Sequence, residues 1–492
     1  MRSKVYSISI LLFLLGCNPS KTAQNKTKPN VLFIAIDDLN DWLGCMNGHP
    51  NAITPNIDKL AKEGILFTNA HCQAPLCGPS RASLMTGLRP STTGIYGMIH
   101  DEKIRDDNEA TKDIIYLPEY FRNHGYHTMG IGKLFHTHAP EGVFNESGGR
   151  YPGFGPLPEK RFVWDGYGTS DREKYGRTST DWGAFPEADS LMPDHHSADW
   201  AIERINREYD KPFFLGVGFL RPHVPLYVPQ KWFDLYPLEN LAMTPYKADD
   251  LDDVPPVAHL INDLPMMPTT DWAIESGNWA KIIQAYLACV SFVDYEVGRV
   301  LDAIKNSKYA DNTVIVLWSD HGYRLGEKGT FAKHALWEEA TNAPLLFTAP
   351  GLPKGKVIDS PAEMLSVYPT LLELCNLPKY ERNEGESLVS LMLGKDESEN
   401  VAITTFGMNN HGIRTLKYRY IQYEDGGEEL YDHAVDPNEW ENIAKDLNYV
   451  EIKKEMKNLL PINNAKWNIH SNYNFQPYFV EQKERTSNVT SK

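Results

Sequence analysis

The sequence predicts an α/β fold, with a mostly parallel central sheet sandwiched by helices and a small C-terminal α+β subdomain. Apolar runs of strand length alternate with segments of helical period along most of the 492 residues. The strand candidates are continuously apolar, as expected when both faces of a sheet are buried. A composition of 41% hydrophobic and 11% aromatic residues is typical of a globular chain with a sizeable core.

The signals for strands and helices follow one another in a regular order. The run from Asn30 to Ile36 predicts the first buried strand. Thr54, Pro55 and Gly64 are residue types preferred at the cap, the first turn and the end of a helix. We expect further strands at 65–68, 126–131, 212–219, 314–318 and 344–347, and further helices at 79–86, 117–123, 194–209, 281–304 and 361–374.

Two stretches interrupt this alternation. Residues 144–193 are rich in Gly, Pro, Tyr and Trp, and residues 236–271 are rich in Pro and Asp. Both are too long to be simple connections, so we expect surface excursions near the functional site. From about residue 400, β-type runs at 401–405 and 418–423 predict the subdomain, with a polar tail after about Val480. The expected organisation is a signal peptide at 1–17, a tether at 18–29, a main domain with the site at 30–399, and the subdomain at 400–492.

The N-terminus has the features of an export signal. Arg2 and Lys4 precede an apolar stretch at 5–15 that is too short to span a bilayer. This stretch leads into Leu15-Gly16-Cys17, which is similar to a bacterial lipobox with Cys17 as the lipidated residue; an ordinary signal peptide is the alternative. We therefore expect an exported cell-envelope lipoprotein, in the periplasm or at the outer surface, whose membrane contact is the lipid on Cys17.

Charge and cysteine content limit the classes of partner. The net charge is −16, from 49 basic and 65 acidic residues, so no global field attracts nucleic acid or an anionic lipid surface. Besides Cys17 and Cys77, four cysteines have an irregular spacing that matches neither a disulfide framework nor a zinc site; they are Cys45, Cys72, Cys289 and Cys375. We expect core thiols, with a bridge between Cys45 and Cys72 left open.

The stretch around Cys77 has the pattern of an anion site. Pro79 suits the first turn of a helix and Gly87 suits its exit, which places Cys77 at the helix N-terminus. Free N–H groups and the helix dipole favour negative charge there. Arg81, one turn on, carries a rigid fork of donors shaped for a tetrahedral oxyanion. A buried free cysteine on a capped helix is the alternative.

Charged side chains follow most of the predicted strands. Ligands of open α/β sheets bind beyond the carboxyl ends of the strands, so we expect these side chains to meet there. They are Asp37, Asp38, Lys133, His136, His223, Asp320 and His321. Three neighbouring carboxylates repel one another unless a cation lies between them, and oxygen-rich ligation favours calcium. The basic residues, with Arg81 and Lys333, supply the local positive charge that an anionic substrate needs.

Several stretches resemble the type I sulfatases of the alkaline-phosphatase superfamily, from about Asn30 to about Ala444. Two are common to sulfatases generally: Val31-Leu-Phe-Ile-Ala-Ile-Asp-Asp-Leu39 and Cys77-Gly-Pro-Ser-Arg-Ala-Ser-Leu-Met-Thr-Gly87. The others are Gly130-Ile-Gly-Lys-Leu-Phe-His136, Arg221-Pro-His223 and Asp320-His-Gly-Tyr-Arg-Leu-Gly-Glu327. The first and last of these three are most similar to the iduronate-2-sulfatase branch. The resemblance implies an alkaline-phosphatase-like fold.

The resemblance also implies a modified residue and a metal. Cys77 would be converted to formylglycine by a maturation enzyme, and one Ca²⁺ would be held at the converted residue by four further ligands, Asp37, Asp38, Asp320 and His321. Many sulfatases have asparagine in place of this histidine, although the iduronate-type branch shares it. A nitrogen ligand leaves manganese or magnesium open.

The reaction that the resemblance implies is hydrolysis of a sulfate ester. A hydroxyl of the formylglycine hydrate attacks sulfur, while the oxyanions are neutralised by the metal and by Arg81, Lys133 and Lys333. His223 protonates the departing sugar oxygen, and His136 assists the second hydroxyl in expelling sulfate. The rival hypotheses are a phosphate or phosphonate ester hydrolase and a catalytically dead glycan-binding lipoprotein.

The implied substrate is a sulfated carbohydrate, either glycosaminoglycan or algal such as ulvan. Arg221 and Arg324 are candidate contacts for a uronate carboxylate. Aromatic-rich stretches at 151–182 and 272–279 are candidates for stacking on sugar rings, or for ordinary packing.

Overall fold

The computed structural model describes residues 28–106, 108–162, 180–395 and 400–488. In chain order the strands are β1 Asn30–Ile36, β2 Ile65–Phe67, β3 Ala70–His71, β4 His127–Gly132, β5 Glu146–Gly149, β6 Trp182–Ala184, β7 Phe213–Phe219, β8 Leu226–Val228, β9 Thr313–Ser319, β10 Leu345–Thr348, β11 Lys356–Ile358, β12 Ala362–Glu363, β13 Ala402–Thr405, β14 His411–Arg414, β15 Tyr418–Gln422 and β16 Glu428–Asp432. The α-helices are α1 Pro55–Glu63, α2 Cys77–Thr86, α3 Pro90–Thr93, α4 Leu117–Asn123, α5 Pro193–Ile205, α6 Gln230–Phe233, α7 Pro256–Asn262, α8 Thr270–Glu275, α9 Trp279–Lys305, α10 Glu338–Thr341, α11 Val367–Leu374, α12 Val389–Met392, α13 Val450–Lys457 and α14 Pro477–Asn488.

An eight-stranded sheet forms the centre, in the order β11-β2-β10-β9-β1-β7-β4-β5. Seven of these strands run in one direction, and β10 runs against them because it pairs antiparallel with both β9 and β2. β1 lies between β7 and β9, with Ile34 opposite Val217 and Leu317. The predicted mostly parallel sheet is confirmed.

The side chains of β1 explain why helices cover both faces of this sheet. Leu32, Ile34 and Ile36 pack into one apolar core together with the buried face of α9. Phe33 and Ala35 pack into the other, together with residues of α2 and α4. Successive side chains of a strand point to opposite faces, so a strand that is apolar from Val31 to Ile36 needs an apolar partner on both sides.

The C-terminal part contains the antiparallel sheet β13-β14-β15-β16, which agrees with the predicted α+β subdomain. The predicted polar tail after Val480 begins as part of the helix α14, in which Phe479 and Gln482 are buried, and its last residues lie outside the described ranges. Gln482 accepts a hydrogen bond from the Trp467 indole at 3.0 Å and donates one to the Met408 carbonyl at 2.8 Å. A polar side chain whose partners lie inside the protein can be a core residue.

The predicted helix at 361–374 begins later than expected. Its first part instead forms β12, which pairs with β3, and α11 begins at Val367. In β12, Glu363 accepts hydrogen bonds of 2.6 and 2.7 Å from Arg89. Tertiary pairing therefore overrides the local helical pattern here.

Several expectations about the termini and the thiols can be compared with the described ranges. The predicted signal peptide and Cys17 lie outside them, and so does the end of the predicted main domain at 396–399. Within the described ranges, no helix has the length and apolar character needed to cross a bilayer. The thiols of Cys45 and Cys72 are free, so the bridge between them does not form.

Candidate active site

The carboxyl ends of four neighbouring parallel strands bring most of the predicted site residues together. They follow β1 (Asp37, Asp38), β4 (Lys133), β7 (His223) and β9 (Asp320, His321), and all six are buried. Asp38 has a φ of 60°, in the left-handed region that aspartate tolerates better than most residues. The predicted meeting point beyond the strand ends is therefore where these side chains lie.

Cys77 is the first residue of α2, the position that the sequence predicts. Its Sγ lies 3.3 Å from Nε2 of His321, 3.3 Å from Nζ of Lys333 and 3.8 Å from a carboxylate oxygen of Asp38. Burial raises the pKa of the Cys77 thiol to about 12 in spite of the neighbouring lysines. The unmodified side chain is therefore a neutral thiol near pH 7, which is a weak nucleophile.

Four donor groups of this cluster are placed to share one cation. Ligand atoms of Asp37, Asp38, Cys77 and His321 all lie within 4.8 Å of one another. Asp320, the fifth predicted ligand, is adjacent: its Oδ1 accepts the Asp38 N–H at 3.2 Å and lies 3.7 Å from Nε2 of His321. Carboxylate oxygens suit a hard divalent cation, and the imidazole nitrogen widens the choice beyond calcium. The donor set fits a divalent metal.

Arg81 is fully buried and uses all five of its N–H donors inside the protein. Its Nε donates to Asp320 at 2.7 Å, and its Nη2 lies 3.5 Å from Asp37. The other donors go to three backbone carbonyls, those of Ile36, Lys133 and Leu134. The fork expected to face an oxyanion is therefore occupied by two carboxylates of the candidate metal site, which it holds in place.

Two buried lysines neutralise the remaining carboxylate charge. Lys133 donates to Asp37, and Lys333 donates to both oxygens of Asp38 at 2.7 and 2.9 Å. Burial alone would raise the pKa of Asp37, but Lys133 and other nearby cations outweigh it and hold that pKa well below its usual range. Burial would lower the pKa of Lys333, yet Asp38 and other acids keep it well above its usual range. Three buried cations, counting the arginine, balance three buried carboxylates.

His223 lies at the edge of this cluster with a defined tautomer. Its Nδ1 lies 2.6 Å from the Val224 carbonyl, which can only accept, so the hydrogen is on Nδ1 and Nε2 is left 4.0 Å from Asp38. The ring of Phe154 stacks on the imidazole at 4.6 Å, with an angle of 5° between the planes. Burial and the charge of Lys333 lower the pKa of His223 well below its usual range.

His136 is only half-buried, unlike the other predicted site residues. Asp101 fixes its loop by accepting the backbone N–H groups of His136, Thr137 and His138 at 2.9–3.1 Å. Burial of the ring and the charge of Lys133 lower the pKa of His136 well below its usual range. The charges of the cluster therefore act on His136, while its side chain forms no hydrogen bond or ion pair with the metal-site carboxylates Asp37, Asp38 and Asp320.

The two arginines proposed to contact a uronate have other contacts. Both are fully buried. Arg221 donates to the carbonyls of Tyr227 and His223 at 2.9 and 3.1 Å. Arg324 donates to a backbone carbonyl at 3.0 Å and to Asn262 at 2.7 Å. Each guanidinium is tied to loop backbone or a loop side chain, and Nη2 of Arg324 is left without a hydrogen-bond partner among the described residues.

Sequence reasoning missed two neighbours of the site, Arg150 and Phe154. Both lie in the excursion at 144–193, which was expected near the site. The only sequence signal for that expectation was the high content of Gly, Pro, Tyr and Trp in this stretch. A single arginine or phenylalanine in a loop has no periodicity from which its position could be read. Of the aromatic stretches, 163–179 lies outside the described residues. In the other, Trp279 donates its indole N–H to the Leu325 carbonyl at 2.8 Å, which is a packing role.

A family model described as sulfatase matches residues 29–377. The chain belongs to the sulfatase family. A second model, described as the C-terminal part of N-sulphoglucosamine sulphohydrolase, matches residues 326–466 of this sulfatase. The family hydrolyses sulfate esters and generally uses a formylglycine residue and a metal ion, so the enzyme class is sulfuric ester hydrolase.

Three relatives support this assignment. A sulfatase of Formosa agariphila is 65% identical over 98% of this chain and 96% of its own length. Human iduronate 2-sulfatase is 35% identical over 68% of this chain and 62% of its own length. An ulvan-active sulfatase of Formosa agariphila is 28% identical over 92% of this chain and 84% of its own length.

Two solved structures share the fold. A 2-O GAG sulfatase superposes with a TM-score of 0.67 at 23% identity, covering 88% of this chain and 91% of the other. The phosphonate monoester hydrolase of Agrobacterium radiobacter superposes with a TM-score of 0.69 at 22% identity, covering 87% and 94%. At these identities the likeness concerns the fold alone. The alkaline-phosphatase-like architecture is confirmed.

Proposed function

We propose that this sulfatase removes a sulfate ester from a sugar of a uronate-containing poly- or oligosaccharide, through a formylglycine made from Cys77. The observation that carries the proposal is the buried cluster in which the Cys77 sulfur touches both His321 and Lys333 at 3.3 Å. The names of two relatives, an iduronate sulfatase and an ulvan-active sulfatase, support a uronate-containing glycan.

The environment of Cys77 favours a modified residue over a thiolate. With its pKa raised to about 12 by burial, the thiol is not ionised near neutral pH. A formylglycine made there by a maturation enzyme would supply, once hydrated, a hydroxyl nucleophile and a second hydroxyl through which sulfate can leave.

A divalent cation, calcium first, would be held by Asp37, Asp38, Asp320, His321 and the converted residue 77. Bound there, it would withdraw electron density from the sulfate oxygens and from the hydrate. Arg81 positions two of these carboxylates by direct ion pairs, so it is a positioning residue.

Lys133 and Lys333 supply fixed positive charge where negative charge develops. Lys333 donates hydrogen bonds to Asp38 and to the Cys77 sulfur. Its ammonium group therefore lies next to the position that the nucleophilic oxygen would occupy after Cys77 is converted. Lys133 lies on the other side of the carboxylate pair, bound to Asp37. Buried and fixed in place, these charges stabilise a trigonal-bipyramidal sulfuryl group without solvent reorganisation.

The two histidines move the protons. His223 is neutral before substrate binds, because burial and Lys333 lower its pKa. A bound sulfate ester adds negative charge that favours the imidazolium, whose Nε2 proton then goes to the departing sugar oxygen. His136 accepts the proton of the second hydroxyl as sulfate leaves.

The test compares Cys77→Ala with Cys45→Ala, both co-produced with a formylglycine-generating enzyme. Cys45 is a half-buried free thiol, so its replacement controls for loss of a cysteine. We expect sulfate release from sulfated oligosaccharides by wild type and Cys45→Ala, and none by a folded Cys77→Ala. Full activity of Cys77→Ala would refute the mechanism. Release of phosphate in preference to sulfate would favour the phosphohydrolase, whose fold the chain also shares.

For the cell, we propose lipid anchoring through Cys17 after export. The supporting feature is the run Leu15-Gly16-Cys17 behind a short apolar stretch. Fractionation should find wild type with the envelope membranes and Cys17→Ala in the soluble periplasmic or secreted fraction. An unchanged distribution of Cys17→Ala would argue for an ordinary signal peptide or another anchor.

A further inference from the structure

Arg150 is a cation beside the site that forms no ion pair with a carboxylate of the described residues, although the more distant Asp37 and Asp101 partly offset the lowering of its pKa by burial. Its Nη1 donates to the backbone carbonyls of His136 at 3.1 Å and Thr137 at 3.4 Å, and its Nη2 donates to the Gly153 carbonyl at 2.9 Å. All three acceptors are neutral. The buried Arg81, in contrast, is paired with two carboxylates.

The guanidinium of Arg150 also has hydrogen-bonding capacity left over. An arginine has five N–H donors, and three are used here. The Nε atom is shielded from solvent and has no hydrogen-bond partner among the described residues. A buried donor without an acceptor is costly, more so on a charged group, and therefore calls for an explanation. An anion at this position would satisfy both the charge and the donors.

Arg150 lies between the two histidines assigned to proton transfer. It contacts the backbone of His136 directly, and its guanidinium carbon lies 5.7 Å from the ring centre of Phe154. That ring is stacked on His223. The charge of Arg150 is felt in the site, where it helps to lower the pKa of His136 after burial and Lys133.

We propose that Arg150 binds a second anionic group of the substrate, a carboxylate or a further sulfate carried by the sulfated sugar or its neighbour. This inference rests on the proposed sulfatase function and names the residue that would select the substrate. A guanidinium binds either group through parallel N–H donors, which adds orientation as well as affinity. Arg150 is only half-buried, whereas the other two candidates, Arg221 and Arg324, are fully buried.

The test measures kcat/KM for matched substrate pairs. One pair is a sulfated hexuronate and the methyl ester of the same sugar; the other is a hexose disulfate and the corresponding monosulfate. A neutral aryl sulfate reports the chemistry without a second anion. The variants are Arg150→Gln and Arg150→Lys, with Arg122→Gln as control, because Arg122 also donates to loop carbonyls, those of Gly142 and Val143.

In at least one pair, we expect wild type to have a higher kcat/KM for the substrate with the additional anionic group. Arg150→Gln should lower this ratio of kcat/KM values roughly 10- to 100-fold, as expected for loss of a charge-assisted hydrogen bond. Arg150→Lys should keep part of the preference because it keeps the charge, and Arg122→Gln should keep all of it. The substrate pair whose preference falls in Arg150→Gln shows whether Arg150 binds a carboxylate or a second sulfate.

Equal losses on every substrate would assign Arg150 a merely structural role and overturn the inference. If Arg150→Gln does not fold, the test compares the preference of wild type for the second anion with that of Arg150→Lys. The absence of this preference in wild type would contradict the inference. Activity on the aryl sulfate without such a preference refutes this inference alone. No sulfate release from any substrate by fully converted protein refutes the proposed function as well.

Discussion

Replacing Arg81 with leucine should destabilise the protein strongly, because the buried guanidinium donates hydrogen bonds to two carboxylates and three backbone carbonyls. Arg81→Leu removes the donors to Asp320 and Asp37 and leaves both carboxylates fully buried. It also removes donors from three backbone carbonyls. Leucine is shorter and apolar, so it supplies none of these hydrogen bonds.

The expected loss of unfolding free energy is about 4–6 kcal/mol. Breaking a buried ion pair costs about 3–5 kcal/mol, and each carbonyl left without a donor costs about 1 kcal/mol. Burial of the leucine side chain returns about 2 kcal/mol. The matched control is Arg485→Leu, because the exposed Arg485 side chain forms a pair with Glu424 that should be worth less than about 1 kcal/mol.

Urea unfolding followed by tryptophan fluorescence measures this loss, with equal slopes confirming that both proteins unfold alike.

The pH dependence of this loss has a definite sign. Lys133 and Arg81 hold the folded pKa of Asp37 below its unfolded value of 3.8 against the effect of burial, so this stabilisation is present above pH 3.8 and is lost as pH falls. The difference between wild type and Arg81→Leu should therefore narrow below about pH 4. A loss under about 1 kcal/mol at pH 7 would show that Arg81 does not hold this buried network together.

Three further predictions concern the site and the subdomain. Phe154→Ala should lower kcat about 10-fold by freeing the His223 ring, whereas Tyr151→Ala, which alters a ring 42% exposed, should not; equal rates for all three proteins would contradict this. Chelation of divalent ions should abolish sulfate release and Ca²⁺ should restore it, while undiminished activity of metal-free protein would exclude the proposed ligand role. Glu428 has its pKa lowered to about 2, because hydrogen bonds from Lys457 and others outweigh partial burial. Glu428→Gln should therefore cost less than about 1 kcal/mol above pH 4.5, with the difference vanishing toward pH 2; a difference that grows with acidity would have the wrong sign.

The sequence was sufficient for the strand ends because their signals are local. The apolar run that becomes β1 stops at Asp37, and the strands β4 and β9 stop in the same way before Lys133 and Asp320. Parallel strands bring such ends to one edge, so periodicity and topology together placed the candidate residues. The helix beginning at Cys77 was likewise marked by Pro79 and Gly87.

What the sequence could not supply are contacts between distant segments. The direction of β10 is set by its pairing with β9 and β2, and a short apolar run carries no information about direction. Arg81 was interpreted as an oxyanion ligand because its carboxylate partners lie 44 and 239 residues away. Arg150 and Phe154 were missed for the same reason, since their positions depend on how an irregular loop packs on His136 and His223.

The most direct test of the account is the dependence of sulfate release on conversion of Cys77. Protein would be prepared with and without a formylglycine-generating enzyme and mixed in known ratios, and mass spectrometry of the Cys77 peptide would give the converted fraction. We expect a specific activity on sulfated oligosaccharides that is proportional to this fraction and zero without conversion. Equal activity of unconverted protein would show that the thiol or another group, and not a formylglycine at position 77, is the nucleophile.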